Sequence, residues 1–513
     1  MSKSGINRKD LAGKIWQACD IMRTDAGTTG ILQYIEQLSW LIFLKVFEDI
    51  EKRNRTKAEF DGNTYESIIK SDYHWSNWTT KDDSELEQFF TKAELEVIEK
   101  RDEPILIAFI NNNLIPYLKG LTGTPEKELI RDIFQELTGN LMKSPYTLRD
   151  VIALLNGINF DSTEDSHVLS QIYEELLLKL GREAGVAGEF YTPRPIIRLM
   201  TKIIKPLIGE KILDPFCGSG GFIIESFHLM IESKELTVED HQKLQRDTFY
   251  GQEKKPLPYL IGVMNCILHD LLRPNFIRTN TLEEDIRSIP EDRKFDVILT
   301  NPPFGGKEGK QIQQNFPYRS SKTEILALQY VIKKLKNNGR CGIVIPEGIL
   351  FNSSEKAFVS TKKDLLQHYK LHTIISLPSG AFANVSPSGQ GPKTNLLFFE
   401  KKGSTKEIFY YDFAGYSEIV LKKNYSKANP ILDEDLVDAW EVWCKQEVTD
   451  WSWKASINDI KDNDYDLTAR NPNKTNEVIY REPLEIVDSI IKHNKEVQQI
   501  LTEIKNILKE EKL

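Results

Sequence analysis

The chain has 513 residues, enough for two or three domains with cores of their own, and its 40% hydrophobic and 28% charged residues describe an ordinary soluble globular protein. Leu38 to Leu44 is too short to cross a bilayer, Met1 to Lys9 is polar without a secretory pattern, and the five cysteines (Cys19, Cys217, Cys266, Cys341, Cys444) lack metal-ligand spacing, so a cytoplasmic protein with no membrane role and no metal site is expected. A net charge of −9 opposes unaided affinity for nucleic acid, since Lys and Arg contacts to phosphate carry most of it.

Residues 1–160 read as a helical domain. Ile31 to Ile50 places Ile31, Ile35, Leu38 and Ile42 at helical spacing, and Asp83 to Lys100 and Glu126 to Leu137 follow the same pattern. Lys52, Arg53, Arg55 and Lys57 form a basic cluster, read first as a solvated helix end. Trp75 and Trp78 are expected in the core or an interface. Ser166 to Leu180 reads as a helix stopped by Gly181. A glycine-spaced loop then leads to Glu189-Phe190-Tyr191-Thr192-Pro193-Arg194, where Pro193 and Pro195 preset the first turn of a helix over Ile196 to Ile204.

The stretch from Lys211 to Phe222 carries more chemistry. A short apolar strand runs into Asp214 and then into Gly218-Ser219-Gly220-Gly221, which opens a helix reaching Met230. Glycine in such a turn lets backbone approach a ligand, and a carboxylate placed before it suits an ammonium group better than a phosphate. The phosphate-loop Gly-Lys-Ser/Thr is absent. Thr248 to Gly251 is the next strand and ends in Gln252-Glu253, an acid positioned to hold ribose hydroxyls. The polar insert Glu232 to Arg246 explains why it lies beyond the usual distance of about 20 residues. Met264 to His269 reads as a buried helix with a structural histidine.

Phe295 to Leu299 is a buried parallel strand by pattern, and Asn301-Pro302-Pro303-Phe304 falls at its carboxyl end, where open α/β sheets place ligands. Paired prolines donate no hydrogen bonds and stiffen the turn, so the Asn301 side-chain oxygen and a neighbouring carbonyl become fixed acceptors for a planar amino group. Phe304 is suited to stack on the ring that bears it. The polar loop Gly305 to Ser321, with Lys307, Lys310, Arg319 and, just beyond it, Lys322, is expected to act as a lid. Strands recur at Cys341 to Ile345, Thr373 to Leu377 and Asn395 to Phe399, with a Ser/Gly/Pro-rich loop over Phe382 to Lys393. After a mixed extension over 416–475, residues 476–513 read as a coiled-coil-like helix: Ile490, Val497 and Ile504 recur every seven residues beside Val487, Asn494, Leu501 and Leu508.

In this order, Phe190 to Arg194, Asp214 to Phe222, Gly251-Gln252-Glu253 and Asn301 to Phe304 resemble the methylation subunit of type I restriction-modification systems, over nearly the whole chain. The resemblance implies an α/β fold: a Rossmann-like, seven-stranded S-adenosylmethionine-dependent methyltransferase core over 161–415, with a helical amino-terminal domain and a helical tail. It implies N6-adenine methylation of DNA by Asn301, Pro302, Pro303 and Phe304. Glu189, Phe190, Tyr191, Thr192, Pro193, Arg194, Asp214, Gly218, Ser219, Gly220, Gly221 and Glu253 would surround S-adenosyl-L-methionine, and Asn280 stands where an acid near the adenine is common. The implied partners are DNA, a specificity subunit, a second methylation subunit and, in the full endonuclease, restriction subunits. N4-cytosine methylation and a non-catalytic S-adenosylmethionine-binding assembly subunit are the competing readings.

Overall fold

The computed structural model describes residues 8–158, 191–383 except Lys234, 392–468 except Lys427, and 471–473, 495, 498 and 501–502. The chain divides into two units, Met1–Arg470 and Asn471–Leu513. Of the second, the turn at 471–473 and the helical residues Lys495, Gln498, Leu501 and Thr502 are described, and Leu501 is exposed. The other heptad positions lie outside the described residues, as do the expected helix Ser166 to Leu180 and the glycine-spaced loop after it.

The amino-terminal part is helical, as its periodicity predicts. Helices α1 (Arg8–Met22), α2 (Ile31–Phe60), α3 (Pro125–Glu136) and α4 (Pro145–Asn156) surround a core containing Leu38, Trp40, Phe43, Phe109, Phe134 and Leu148, with Trp75 and Trp78 buried in it. Helix α2 runs past the expected end at Ile50 because the residues that follow are good helix formers and its cations find partners. Lys52 Nζ lies 2.7 Å from buried Glu48, Arg53 reaches Asp270 at 3.4 Å, and Arg55 donates to Ser67 Oγ at 2.5 Å. Asp83 to Lys100 is not one helix. Asp82 and Thr91 each form a capping box, with Glu85 and Glu94, and so start separate helices at Asp83–Leu86 and Lys92–Lys100.

The remaining part of the first unit is built on one sheet. Its strands are β1 (Ile212–Asp214), β2 (Phe249–Glu253), β3 (Asn275–Arg278), β4 (Phe295–Thr300), β5 (Leu335–Pro346), β6 (Lys370–Ser376), β7 (Thr394–Glu400), β8 (Glu407–Asp412) and β9 (Ser452–Ser456). They lie in the order β3-β2-β1-β4-β5-β7-β6-β8-β9. The first seven make the expected methyltransferase arrangement, with β7 antiparallel between β5 and β6. The strand count is corrected from seven to nine. Strand β8 pairs parallel to β6 and hides Ile408 to Tyr411, and β9, from the 416–475 extension, covers the edge that β8 would otherwise expose.

Alternation along β4 shows how the layers form: Val297 and Leu299 face one core, and Ile298 faces the other. Helices α5 (Arg194–Ile204), α6 (Gly221–Glu232) and α7 (Pro256–Leu268) fill the first side, and α8 (Thr323–Lys334) and α9 (Lys356–His368) fill the second. Helices α2 and α3 pack on α7, and three ion pairs bridge the helical part to the segment around β3: Arg53 with Asp270, Arg273 with Glu126, and Arg278 with Glu136 at 2.8 Å. Among the described residues no helix is long and apolar enough to cross a membrane, and no group of three His, Cys, Asp or Glu is placed to hold a metal ion.

Candidate active site

Strands β2 and β3 lie on one side of β1, and β4 and β5 on the other, so the order reverses between β1 and β4. Both strands run parallel, with Leu213 opposite Ile298, and they deliver Asp214 and Thr300 side by side at the carboxyl edge. Such a switch point is where doubly wound sheets open a crevice. Here the crevice is a cleft lined by Tyr191, Thr192, Asp214, Gly218, Ser219 and Asn301, among others.

The glycine turn is shaped by close packing. Gly218 and Gly220 have φ of 48° and 77°, in the left-handed region that glycine occupies without strain. A Cβ on Gly262 of α7 would lie 2.5 Å from the Gly218 carbonyl oxygen, so glycine there lets the helix press against the turn. The turn is also tied by hydrogen bonds. Gly218 N–H donates to Glu253 Oε2 at 3.1 Å, Cys217 N–H to the Gln252 carbonyl at 3.0 Å, and Asn265 Nδ2 to the Ser219 carbonyl at 2.9 Å. Behind it, Thr281 Oγ1 donates to the Pro215 carbonyl at 2.5 Å, and buried Tyr330 sets its hydroxyl 2.9 Å from both Gln252 Oε1 and Glu284 Oε2.

Two carboxylates face this turn. Asp214 is buried, accepting from Thr300 Oγ1 at 2.7 Å and from Phe216 N–H at 3.2 Å. Burial pushes its pKa up to about 7, and the charge of Glu253 adds to the rise, while the two hydrogen bonds oppose it. Burial likewise raises the pKa of Glu253, against hydrogen bonds from the Lys255, Gly218 and Lys254 backbone. A buried acid without a cationic partner among the described residues fits a site that receives a cation.

Asn301 leaves β4 at the cleft wall. Its Nδ2 donates to Thr192 Oγ1 at 3.0 Å, joining the Asn-Pro-Pro-Phe turn to the segment before α5. Its Oδ1 is buried and has no hydrogen-bond partner among the described residues. Leaving a buried acceptor unmet costs about 1–3 kcal/mol, which a structural asparagine would avoid. Pro302 is buried and Pro303 exposed. The half-buried ring of Phe304 meets Phe382 edge-to-face, with centroids 5.9 Å apart and planes at 89°.

Of the residues expected around the cofactor, Tyr191, Thr192, Asp214, Gly218, Ser219 and Gly221 line the cleft, joined by Asn301 from the catalytic set. Glu189 and Phe190 lie outside the described residues. Pro193 is the N-cap residue of α5, and Gly220 supplies backbone conformation behind the turn. The Arg194 guanidinium braces α6, donating to the Gly221 carbonyl at 3.1 Å and lying 3.5 Å from Glu225. Asn280 caps a short turn, accepting from Leu282 N–H and donating to Glu283 at 3.0 Å. His269 pairs with His228 at 2.9 Å, as a structural histidine would. Sequence reasoning missed Thr300 and Phe382. Thr300 adjoins Asn301 and was legible from the strand's end, whereas Phe382 reaches Phe304 only through the fold.

The arrangement, a methyltransferase-type sheet with a glycine turn and an amino-group-sized acceptor at its switch point, defines a class. Residues 164–479 match the N-6 DNA Methylase family, to which the chain belongs. Residues 11–155 match the HsdM N-terminal domain. Within that family the chain is a methylase subunit of the type I restriction enzyme kind. It is 37% identical to the EcoEI methylase subunit of Escherichia coli over 95% of this chain and 96% of the relative. Among solved structures it resembles a chain of a type I R-M system (43% identity, TM-score 0.72, 98% of this chain and 99% of that one) and a modification subunit of a putative type I restriction enzyme from Vibrio vulnificus (33%, 0.81, 94% and 100%).

Proposed function

We propose that this adenine-N6 DNA methyltransferase takes its methyl group from S-adenosyl-L-methionine bound in the β1/β4 cleft, and works on a base flipped out of DNA. The observation that carries the reading is the unmet Asn301 Oδ1 beside buried, cation-seeking Asp214. S-adenosylmethionine supplies an electrophilic methyl on a sulfonium and carries an ammonium group. Asp214 pairs with that ammonium, the Gly218–Gly221 turn lets backbone lie against the ligand, and Glu253 accepts from ribose hydroxyls with lone pairs left over from Gly218 and Lys255. Extruding the adenine costs a few kcal/mol, after which Asn301 Oδ1 and the Pro302 carbonyl hold its amino hydrogens. Phe304, squared against Phe382, stacks on the base. Orientation and fixed acceptors supply the rate, and no strong base is needed because the methylated aminium is acidic.

The acidic balance of the chain supports a division of labour. Sequence readout belongs to a specificity subunit, with a second copy of this chain completing the methyltransferase and restriction subunits completing the endonuclease. The heptad-patterned segment 476–513 is the proposed contact with the specificity subunit. The test is nucleoside analysis of DNA methylated by the assembled complex: N6-methyladenine is expected, and N4-methylcytosine would refute the base assignment. Glu253→Ala is expected to weaken S-adenosylmethionine by about 1.5–3 kcal/mol, the worth of hydrogen bonds to a charged group. Calorimetry checks this, with thermal unfolding run alongside because Gly218 N–H also loses its acceptor. An unchanged dissociation constant would remove Glu253 from the site.

A further inference from the structure

We infer that the segment from Gly305 to Lys322 is not a lid but a rigid cationic rim that grips the phosphates of the DNA strand carrying the target base. The inference rests on the methyltransferase reading above, and names the element of this chain that meets the DNA backbone.

The segment begins directly after Phe304 and is fastened at several points. Glu308 N–H donates to the Ser321 carbonyl at 2.8 Å, Thr323 N–H to the Gly306 carbonyl at 3.2 Å, and Thr323 Oγ1 to Glu308 Oε1 at 3.0 Å. A Cβ on Gly306 would lie 2.2 Å from Thr323 Oγ1, so only glycine permits this closure. Farther along, the Gln329 amide holds both the N–H and the carbonyl of Tyr318, at 3.0 and 2.8 Å. Asn315 Nδ2 donates to the Glu283 carbonyl at 2.9 Å, and Phe316 is buried. A loop with this many anchors presents its side chains in fixed places.

What it presents is positive charge. Lys307, Lys310 and Arg319 are exposed and Lys322 is half-buried, and none of the four has an acidic partner among the described residues. The cations of α2 differ: Lys52 and Arg53 are paired within the protein. Lys307 and Lys322 also face each other across an antiparallel β-bridge. Residues so opposed project to the same side, and like charges there destabilise the pair. The one acid in the segment, Glu308, accepts from the Thr323 hydroxyl at 3.0 Å. A rigid element that keeps two lysines opposed beside a site for a flipped base is complementary to a polyanion, and their repulsion is relieved when phosphate sits between them.

The test uses the complex assembled with its partner subunits and duplex DNA bearing its recognition sequence. Replacing all four cations, as K307Q/K310Q/R319Q/K322Q, is expected to raise KM for DNA while leaving kcat at saturating DNA and S-adenosylmethionine affinity unchanged. The slope of log affinity against log salt should become shallower by about 3 to 4, at roughly 0.9 per phosphate contact. Lysine-to-arginine versions of Lys307, Lys310 and Lys322 should keep the parent slope, and the thermal midpoint of the glutamine variant should equal or exceed that of the parent. An unchanged salt slope overturns the inference alone. A lowered midpoint with lost kcat also overturns it, by showing that the lysines serve the loop's fold. If the unaltered complex transfers no methyl group to DNA, the parent reading falls and takes this one with it.

Discussion

Asn301→Ala is expected to lower methyl transfer by at least about 10²–10³-fold, the usual cost of deleting one preorganised partner of a reacting group, while S-adenosylmethionine affinity changes little. The substitution removes an acceptor that has no internal partner, so little folding energy is lost with Oδ1 itself. It also frees Thr192 Oγ1 from its only bond to the Asn-Pro-Pro-Phe turn, and that is a local matter on a residue already half-exposed to the cleft. The amino group of the substrate then keeps its hydration or rotates, and its lone pair is no longer aimed. Single-turnover transfer measured beside calorimetric cofactor binding separates the two steps. A loss of cofactor affinity as large as the loss of rate would move Asn301 from the base side of the cleft to the cofactor side. Phe304→Ala should act in the same direction, since its ring, braced by Phe382, is the one proposed to stack on the base and not on the cofactor.

How far the sequence spoke depended on whether a feature was local. The turn after β1, the acid ending β2 and the Asn-Pro-Pro-Phe motif each sit where a short apolar run meets glycine or proline, and each of those runs is a strand in the sheet. Strand β3 escaped because it is a four-residue element in which only Phe276 is buried, too short for an alternating pattern to show. Strands β8 and β9 escaped for another reason. Their pairing with β6 and with each other is long-range, and it extends a strand order that is already that of a seven-stranded methyltransferase sheet. Polar spacing reads Gly305 to Ser321 as a lid, and the anchors that hold it, from Thr323 and Gln329 on α8 and from the Glu283 carbonyl, are ones no local pattern reveals. The basic cluster on α2 looked solvated, yet Arg53 is spent on Asp270 across the contact between helical part and sheet.

Asp214 gives the second large effect, and its sign follows from its environment. Burial lifts its pKa to about 7 in the folded protein, above the ordinary aspartate value of about 3.9. Between those two values the folded chain therefore holds a proton that the unfolded chain has lost, so the stability of the ligand-free protein should fall as pH rises through that window and level off above about 7. A ligand ammonium reverses the preference by favouring the carboxylate. Cofactor affinity should accordingly increase as pH is raised toward about 7, by up to about tenfold per pH unit, and binding below that pH should expel a proton. Calorimetry in buffers of different ionisation enthalpy measures the expelled proton directly. Asp214→Asn keeps the shape and can still accept from Thr300 Oγ1, so the protein should fold, with greater stability than the parent at pH 8. Its affinity for S-adenosylmethionine at that pH should drop by about 1.5–3 kcal/mol, and most of the pH dependence should vanish, the remainder belonging to Glu253, whose pKa is raised as well. Affinity in the unaltered protein that stays flat from pH 5 to about 8 would show that no cation is received at Asp214.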